Sequence, residues 1–331
     1  MKYLNYFFAF LFLMTSCSSD DDAVTVVNNT PEPSNQTLTG TISSSNQFSI
    51  LNNALELTDL KTVLDANIFT VLAPNNTAFE AFLTANSYNS INDVPVGLLE
   101  NILLNHVINN QVLRSEIEFN ESGYIKSNAN GPLNEKLDIY YNINLANSIN
   151  GLANFASDEI VTETGVIHEI DALLTLPTVY DMLTANPEFN VLIQTMTNDA
   201  PNTDFEEILN RLLDNNLDGL NPDFTLFAPN NSALNAVDTS TFSESQITNI
   251  LLHHVIKDDN IVYTEITANG SLTKPTLQGE DITIFTSTST GVDATITDGA
   301  GNTDITIINK GIQTINGIIY ISEKVLIPAQ F

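Results

Sequence analysis

An eleven-residue phrase occurs twice in the chain, FTVLAPNNTAF from Phe69 to Phe79 and FTLFAPNNSAL from Phe224 to Leu234. Each copy reads as a strand, a stop and a helix start. Phe69, Val71 and Leu72 are β-prone, and Pro74, like Pro229, has no N–H for a sheet ladder, so the strand ends there or lies at an edge. Asn75, Asn76 and Thr77, like Asn230 and Asn231, are residue types favoured at helix N-caps. Thr77 and Glu80 have the spacing of a capping box, and Phe79, Phe82 and Leu83 follow at helical intervals. A strand-to-helix corner used twice constrains the fold more tightly than any other stretch.

The chain can be laid over itself from this point in both directions. The offset is 141 at Phe48 and Phe189, 155 at Phe69 and Phe224, 148 at His106 and His254 within LLNHVI and LLHHVI, and 152 at Gly165 and Gly317. Landmarks that keep their order while the offset drifts place insertions in loops. The largest falls in Pro201–Pro222. Two homologous units meet near Pro177. Each has a helix-rich first half and a strand-rich second half, with strands expected at 137–141 and 154–161 and at 281–287, 294–297 and 303–308. The run from Asp298 to Asn302 has hairpin-turn chemistry, and this order of elements argues against a parallel βαβ sheet.

The corner phrase, the LLxHVI helix end and the final GVIHEID-like strand, in that order and twice over, resemble the fasciclin, or FAS1, domain. The resemblance implies an α+β fold of two tandem domains, 41–177 and 178–331. Each is expected to be a seven-stranded, two-sheet β-wedge with helices packed along it. It also implies an extracellular adhesion or interaction module with no catalytic machinery common to the family. Pro74, Asn75, His106, Pro229, Asn230 and His254 fall on the family motifs. The histidine matches the Tyr-His motif tied to integrin binding in some animal members, but Asn105 and His253 occupy the tyrosine position, so integrin recognition is not expected. Leu99, Ile102, Leu103 and His106 share one helical face, as do Ile247, Ile250, Leu251 and His254. This spacing predicts structural core histidines.

The N-terminus carries a different message. Lys2 and the apolar run from Leu4 to Met14 are too short to span a bilayer and suit a signal peptide, 1–16. Cys17, the only cysteine of the chain, follows LMTS and resembles the lipid-attachment cysteine of bacterial lipoproteins. The segment 17–40, with SSDDD after Cys17 and few apolar residues, reads as a lipidated flexible tether. It resembles signals that carry some lipoproteins to the outer face of the Gram-negative outer membrane. Forty acidic residues against ten basic ones give a formal charge of −30, which argues against nucleic acid as a ligand.

The remaining candidates for chemistry are few. His253 and His254 are adjacent rather than i, i+4, and His168 stands where the second unit has Tyr320, so no metal or other cofactor is expected. Asp214, Asn216, Asp218 and Gly219 fit the first half of a calcium loop, but Pro222 and Thr225 fall where its later ligands belong. No GxSxG, HExxH or phosphate-binding glycine loop occurs. These features predict a non-catalytic, lipid-anchored surface protein that binds an extracellular protein or glycan, with specificity in the loops where the copies differ. The alternative is an accessory glycan-binding lipoprotein of a nutrient-uptake system. Tyr140 and Tyr141, on opposite faces of one strand, offer one exposed aromatic for such a role. A hydrolase using an acidic pair is a third possibility, with nothing in the sequence to locate the pair.

Overall fold

The computed structural model describes residues 35–146, 148–212, 216–287, 289 and 292–330. Cys17 and Asp214 lie outside them. In the first domain the helices are α1 (Leu38–Ser44), α2 (Ser49–Leu57), α3 (Leu60–Ala66), α4 (Asn76–Ala85), α5 (Val96–Leu104) and α6 (Arg114–Asn120). The expected tether 17–40 ends earlier than residue 40: Thr37 caps α1 and Leu38 is fully buried in the core, so the domain begins a few residues before 41. The strands are β1 (Phe69–Pro74), β2 (Val107–Asn109), β3 (Ser122–Asn130), β4 (Lys136–Asn142), β5 (Ile160–Thr162) and β6 (Gly165–Ile170), in the order β4-β3-β2-β1-β6-β5. The sheet bends at β3, which meets β2 only at Ile108↔Ser127 and pairs with β4 on its other edge through a register shift between Lys126 and Asn130. This is the corner of the wedge.

The second domain repeats the plan. Its helices are α7 (Val179–Ala185), α8 (Asn190–Gln194), α9 (Phe205–Leu209), α10 (Asn231–Asn235), α11 (Glu244–Leu252) and α12 (Tyr263–Asn269). Its strands are β7 (Phe224–Pro229), β8 (Val255–Ile256), β9 (Ser271–Pro275), β10 (Asp281–Thr286), β11 (Ala294–Thr297), β12 (Ile305–Ile307), β13 (Ile312–Thr314) and β14 (Gly317–Ser322). Among the described residues the domains thus have six and eight strands, to either side of the seven expected. The expected strand at 154–161 shrinks to β5 and single bridges. Tyr141↔Ile149, Ile149↔Ala153 and Phe155↔Ile170 stand where the second domain builds β11 and β12, Phe155↔Ile170 matching Ile307↔Ser322.

The corner strand is central, and Pro74 ends it. Phe69, Val71 and Ala73 point into the helical layer, whereas Leu72 points to the other side, as a two-residue strand period requires. In the second domain Phe224, Leu226 and Ala228 divide from Phe227 in the same way. The absence of parallel pairing expected from the element order fails at one place per domain: β1 runs parallel to β6 over six residues, and β7 to β14. The corner phrase and the final motif, far apart in sequence, are therefore neighbours. Gly165 and Gly317 permit it. A Cβ on Gly165 would lie 1.8 Å from the Phe69 carbonyl oxygen, and one on Gly317 2.2 Å from that of Phe224.

The domains share an interface. Buried Asp138 of β4 accepts hydrogen bonds from the Gln313 N–H of β13 (2.6 Å) and from Lys126 Nζ (2.7 Å). Asn186 donates to the Tyr124 hydroxyl (2.8 Å), and Tyr140 packs into the core of the second domain.

Candidate functional site

The corner phrase closes its own hydrogen bonds. Asn75 is the N-cap of α4, accepting from the Ala78 N–H at 3.0 Å, and Asn230 accepts from Ala233 at 2.9 Å. The cap thus falls at Asn75 rather than Thr77, and no Thr77–Glu80 capping box forms, because α4 has already begun at Asn76. The second asparagine works elsewhere: Asn76 binds the Ile50 N–H and the Asn46 carbonyl, and Asn231 binds the Val191 N–H and the Pro187 carbonyl. Each ties the corner to the helix start near the front of its domain. The threonine of each phrase has a role that its propensity does not announce. Buried Thr70 donates to the Asn110 carbonyl and accepts from the Val112 N–H; Thr225 does the same with Asp259 and Ile261. Only the recurrence of Thr in both phrases hinted at this clamp.

His106 and His254 sit two residues beyond the ends of α5 and α11, not on the helices, and both are buried. His106 Nδ1–H donates to the Ile102 carbonyl (2.8 Å) and Nε2 accepts from the Leu174 N–H (2.9 Å). His254 bonds the Ile250 carbonyl (2.7 Å) and the Leu326 N–H (2.9 Å) identically. Each ring adds a second hydrogen bond to a last-turn carbonyl that already accepts from the C-cap N–H, and fastens the segment after the final strand to the helix end. Burial lowers both pKa values to about 4, against a stabilising bond from each ring to its helix carbonyl. Both rings are therefore neutral at physiological pH, and no ring nitrogen is left for a ligand.

At the tyrosine position of the family motif, His253 joins Thr276 Oγ1 to the Gly299 N–H, and Asn105 donates to the Thr175 carbonyl. His168 and Tyr320, different in chemistry, hold equivalent places. His168 Nε2–H donates to the Val112 carbonyl and the Tyr320 hydroxyl to the Ile261 carbonyl, both at 2.8 Å. Among the described residues no group of three or more His, Cys, Asp and Glu side chains is placed to hold a metal ion. Asp218 of the calcium-like run is engaged in a bidentate pair: Arg211 Nη1 and Nη2 each reach one of its oxygens at 2.8 Å. Hydrogen bonding from Arg211 lowers its pKa to about 2.

The first domain contains a large cavity. It measures about 550 Å³, lies between α6 and the strands β3 and β4, and is walled by Leu72, Ile108, Ile117, Ile139, Ile149 and Phe155. Glu116, Phe119 and Tyr141 stand among its remaining lining residues, Phe119 being 85% exposed. Of the tyrosine pair, Tyr140 is buried and Tyr141 half-buried on the cavity side. In the second domain the equivalent space is filled: Phe227 stacks on Tyr320 with centroids 5.6 Å apart, and Ile266, Ile284, Ile296 and Ile307 are fully buried beside them.

With this geometry in view, the fasciclin domain pattern matches residues 46–177 and again 200–328, well over half of the chain. The chain belongs to the fasciclin domain family, a family linked to cell adhesion and surface interaction. Among curated relatives it is 32% identical over 110 residues to the immunogenic proteins MPB70 of Mycobacterium bovis and MPT70 of Mycobacterium tuberculosis. The match covers 32% of this chain and spans about half (50%) of each relative. A solved structure of a FAS1 domain pair from the insect cell adhesion molecule Fasciclin I is 17% identical, with a TM-score of 0.49, covering 84% of this chain and 97% of the other.

Proposed function

We propose that the chain is a non-catalytic adhesion or interaction protein, held by lipid on Cys17 at the outer membrane of a Gram-negative bacterium and displayed outward. The tether beginning at Cys17 carries the two domains clear of the bilayer. The observation that supports a non-catalytic role most directly is the state of the motif residues. In both copies the motif asparagines and histidines are spent on backbone hydrogen bonds, leaving no paired nucleophile and base at the motif. No helix among the described residues is long and apolar enough to cross a membrane, which is compatible with a lipid anchor.

Partner specificity is assigned to the insertion between Pro201 and Pro222. Arg211 braces it through Glu207 and Asp218, and Leu212 and Leu217 are exposed at 59% and 109%. Two measurements test the reading. Replacement of Cys17 by Ser is expected to release the protein from the membrane fraction, and protease added to intact cells is expected to remove it. Retention by the Cys17→Ser variant refutes the anchor. A pull-down from the native cell surface with the chain from residue 35 is expected to capture a matrix or surface ligand that a variant with Leu212 and Leu217 changed to Ser does not. Unchanged cell adhesion on deletion of the protein, with no ligand captured, refutes the adhesive role.

A further inference from the structure

Duplication supplies an internal control for the cavity in the first domain. Both copies place the same loop with the same threonine clamp and an equivalent bond from the final strand's aromatic side chain to a loop carbonyl. What fills each copy differs. The second domain inserts Phe227 and Tyr320 and roofs them with β11 and β12, whose Ala294, Ile296, Ile305 and Ile307 all point inward. The first domain has Leu72 and His168 at the register-matched positions, and Ile149, Ala153 and Phe155 replace the two roofing strands. Isoleucines, leucine and phenylalanine are left lining a concave space of about 550 Å³ with an open mouth. Pockets that enclose small organic ligands have this character, with volumes of roughly 300–1,000 Å³.

The mouth selects by charge. Glu116 lines it from α6, one carboxylate oxygen accepting from the Leu113 N–H at 3.0 Å, and Glu118 lies on the same helix. The cation at hand is already engaged: Arg114 lies 3.8 Å over the Phe155 ring with its Nε on Glu118 Oε1 at 3.0 Å. Placing an anion here sets it against these carboxylates and the charge of −30 of the whole chain. The apolar wall holds no acid or base to balance a buried charge.

We infer that the cavity of the first domain is a binding site for an uncharged lipophilic molecule, a ligand class distinct from the adhesive partner and independent of that reading. Its apolar body occupies the space filled by Phe227 and Tyr320 in the second domain, and a hydroxyl or similar donor lies at Glu116.

The test is titration of the uncharged fluorophore Nile red into the full chain, with competition by dodecanol and dodecanoate at pH 8. Wild type is expected to give saturable blue-shifted emission, displaced by dodecanol at tenfold or more lower concentration than by dodecanoate. Leu72→Phe, which installs the second domain's residue, is expected to weaken binding at least tenfold. Phe119→Ser, at the exposed lip where folding is not at stake, is expected to weaken it several-fold. Thermal melts check that both variants fold, and if Leu72→Phe does not, Phe119→Ser decides. Binding that neither variant alters, or displacement by dodecanoate as effective as by dodecanol, overturns the inference.

Discussion

Acidification attacks the two histidine clamps. In the folded chain His106 Nδ1 carries the proton and Nε2 accepts from Leu174 N–H. A second proton on Nε2 would face that N–H donor in a dry interior. The ring's pKa is accordingly about 4, below its ordinary value of 6.5. Between these values the unfolded chain binds a proton that the folded chain refuses. The stability contributed is therefore complete above pH 6.5 and is lost as pH falls through 6.5 toward 4. The lost stability amounts to about 2.5 kcal/mol at pH 4.5 for one such ring. Acidification also reduces the net charge of −30 and with it self-repulsion, an opposing trend. The difference between wild type and His106→Gln cancels that background. Urea unfolding at pH 7.5 and 4.5 is expected to show the variant about 2–4 kcal/mol less stable at the higher pH. Most of that gap should close at the lower pH. A gap that stays constant with pH, or nitrogen NMR shifts placing the proton on Nε2 at pH 7.5, would refute the reasoning.

Three further outcomes follow from the geometry. Gly165→Ala puts a methyl group 1.8 Å from the Phe69 carbonyl oxygen; the β1–β6 pair must separate, and a thermal melt should show a loss of more than about 3 kcal/mol. Asn75→Ala removes the cap on α4 and the contact of Asn75 Nδ2 with Glu169 at 3.1 Å, and is expected to cost about 1 kcal/mol in denaturant, with the helix end exchanging amide hydrogens faster. Asp138→Ala leaves the Gln313 N–H and Lys126 without their shared acceptor at the interface. It should cost about 1–3 kcal/mol and separate the melting of the two domains in calorimetry, whereas a single unshifted transition contradicts a role for Asp138 in coupling them.

The aligned repeats in the sequence were enough to establish two fasciclin domains, because each corner phrase combines strand propensity, a proline stop and a capping asparagine within a few residues. These are local effects, and local effects are legible in order along the chain. The burial of His106 was legible from its spacing to Leu99, although α5 stops at Leu104 and the histidine serves the helix end from outside it. Asn75, Asn76 and Thr77 are all good cap types, and only the structure selects Asn75 over the Thr77–Glu80 capping box. Only tertiary packing gives Asn76 its other partners, Ile50 and Asn46.

Other features were decided only when distant segments met. That β1 lies parallel to β6 rests on Gly165 allowing the Phe69 backbone to approach, a contact with no local signature. That His168 and Tyr320 do the same work was hidden by their different chemistry, and shows only in their bonds to equivalent backbone carbonyls, those of Val112 and Ile261. The cavity is the clearest case. Leu72 and Phe227 are equally acceptable strand residues. Whether a core closes depends on the summed volume of side chains arriving from separate strands, and two roofing strands in one copy are reduced to Ile149, Ala153 and Phe155 in the other. The sequence by itself determined the family, the duplication and the order of elements, all carried by residues close in sequence. The tertiary structure decided which copy is filled and which is open.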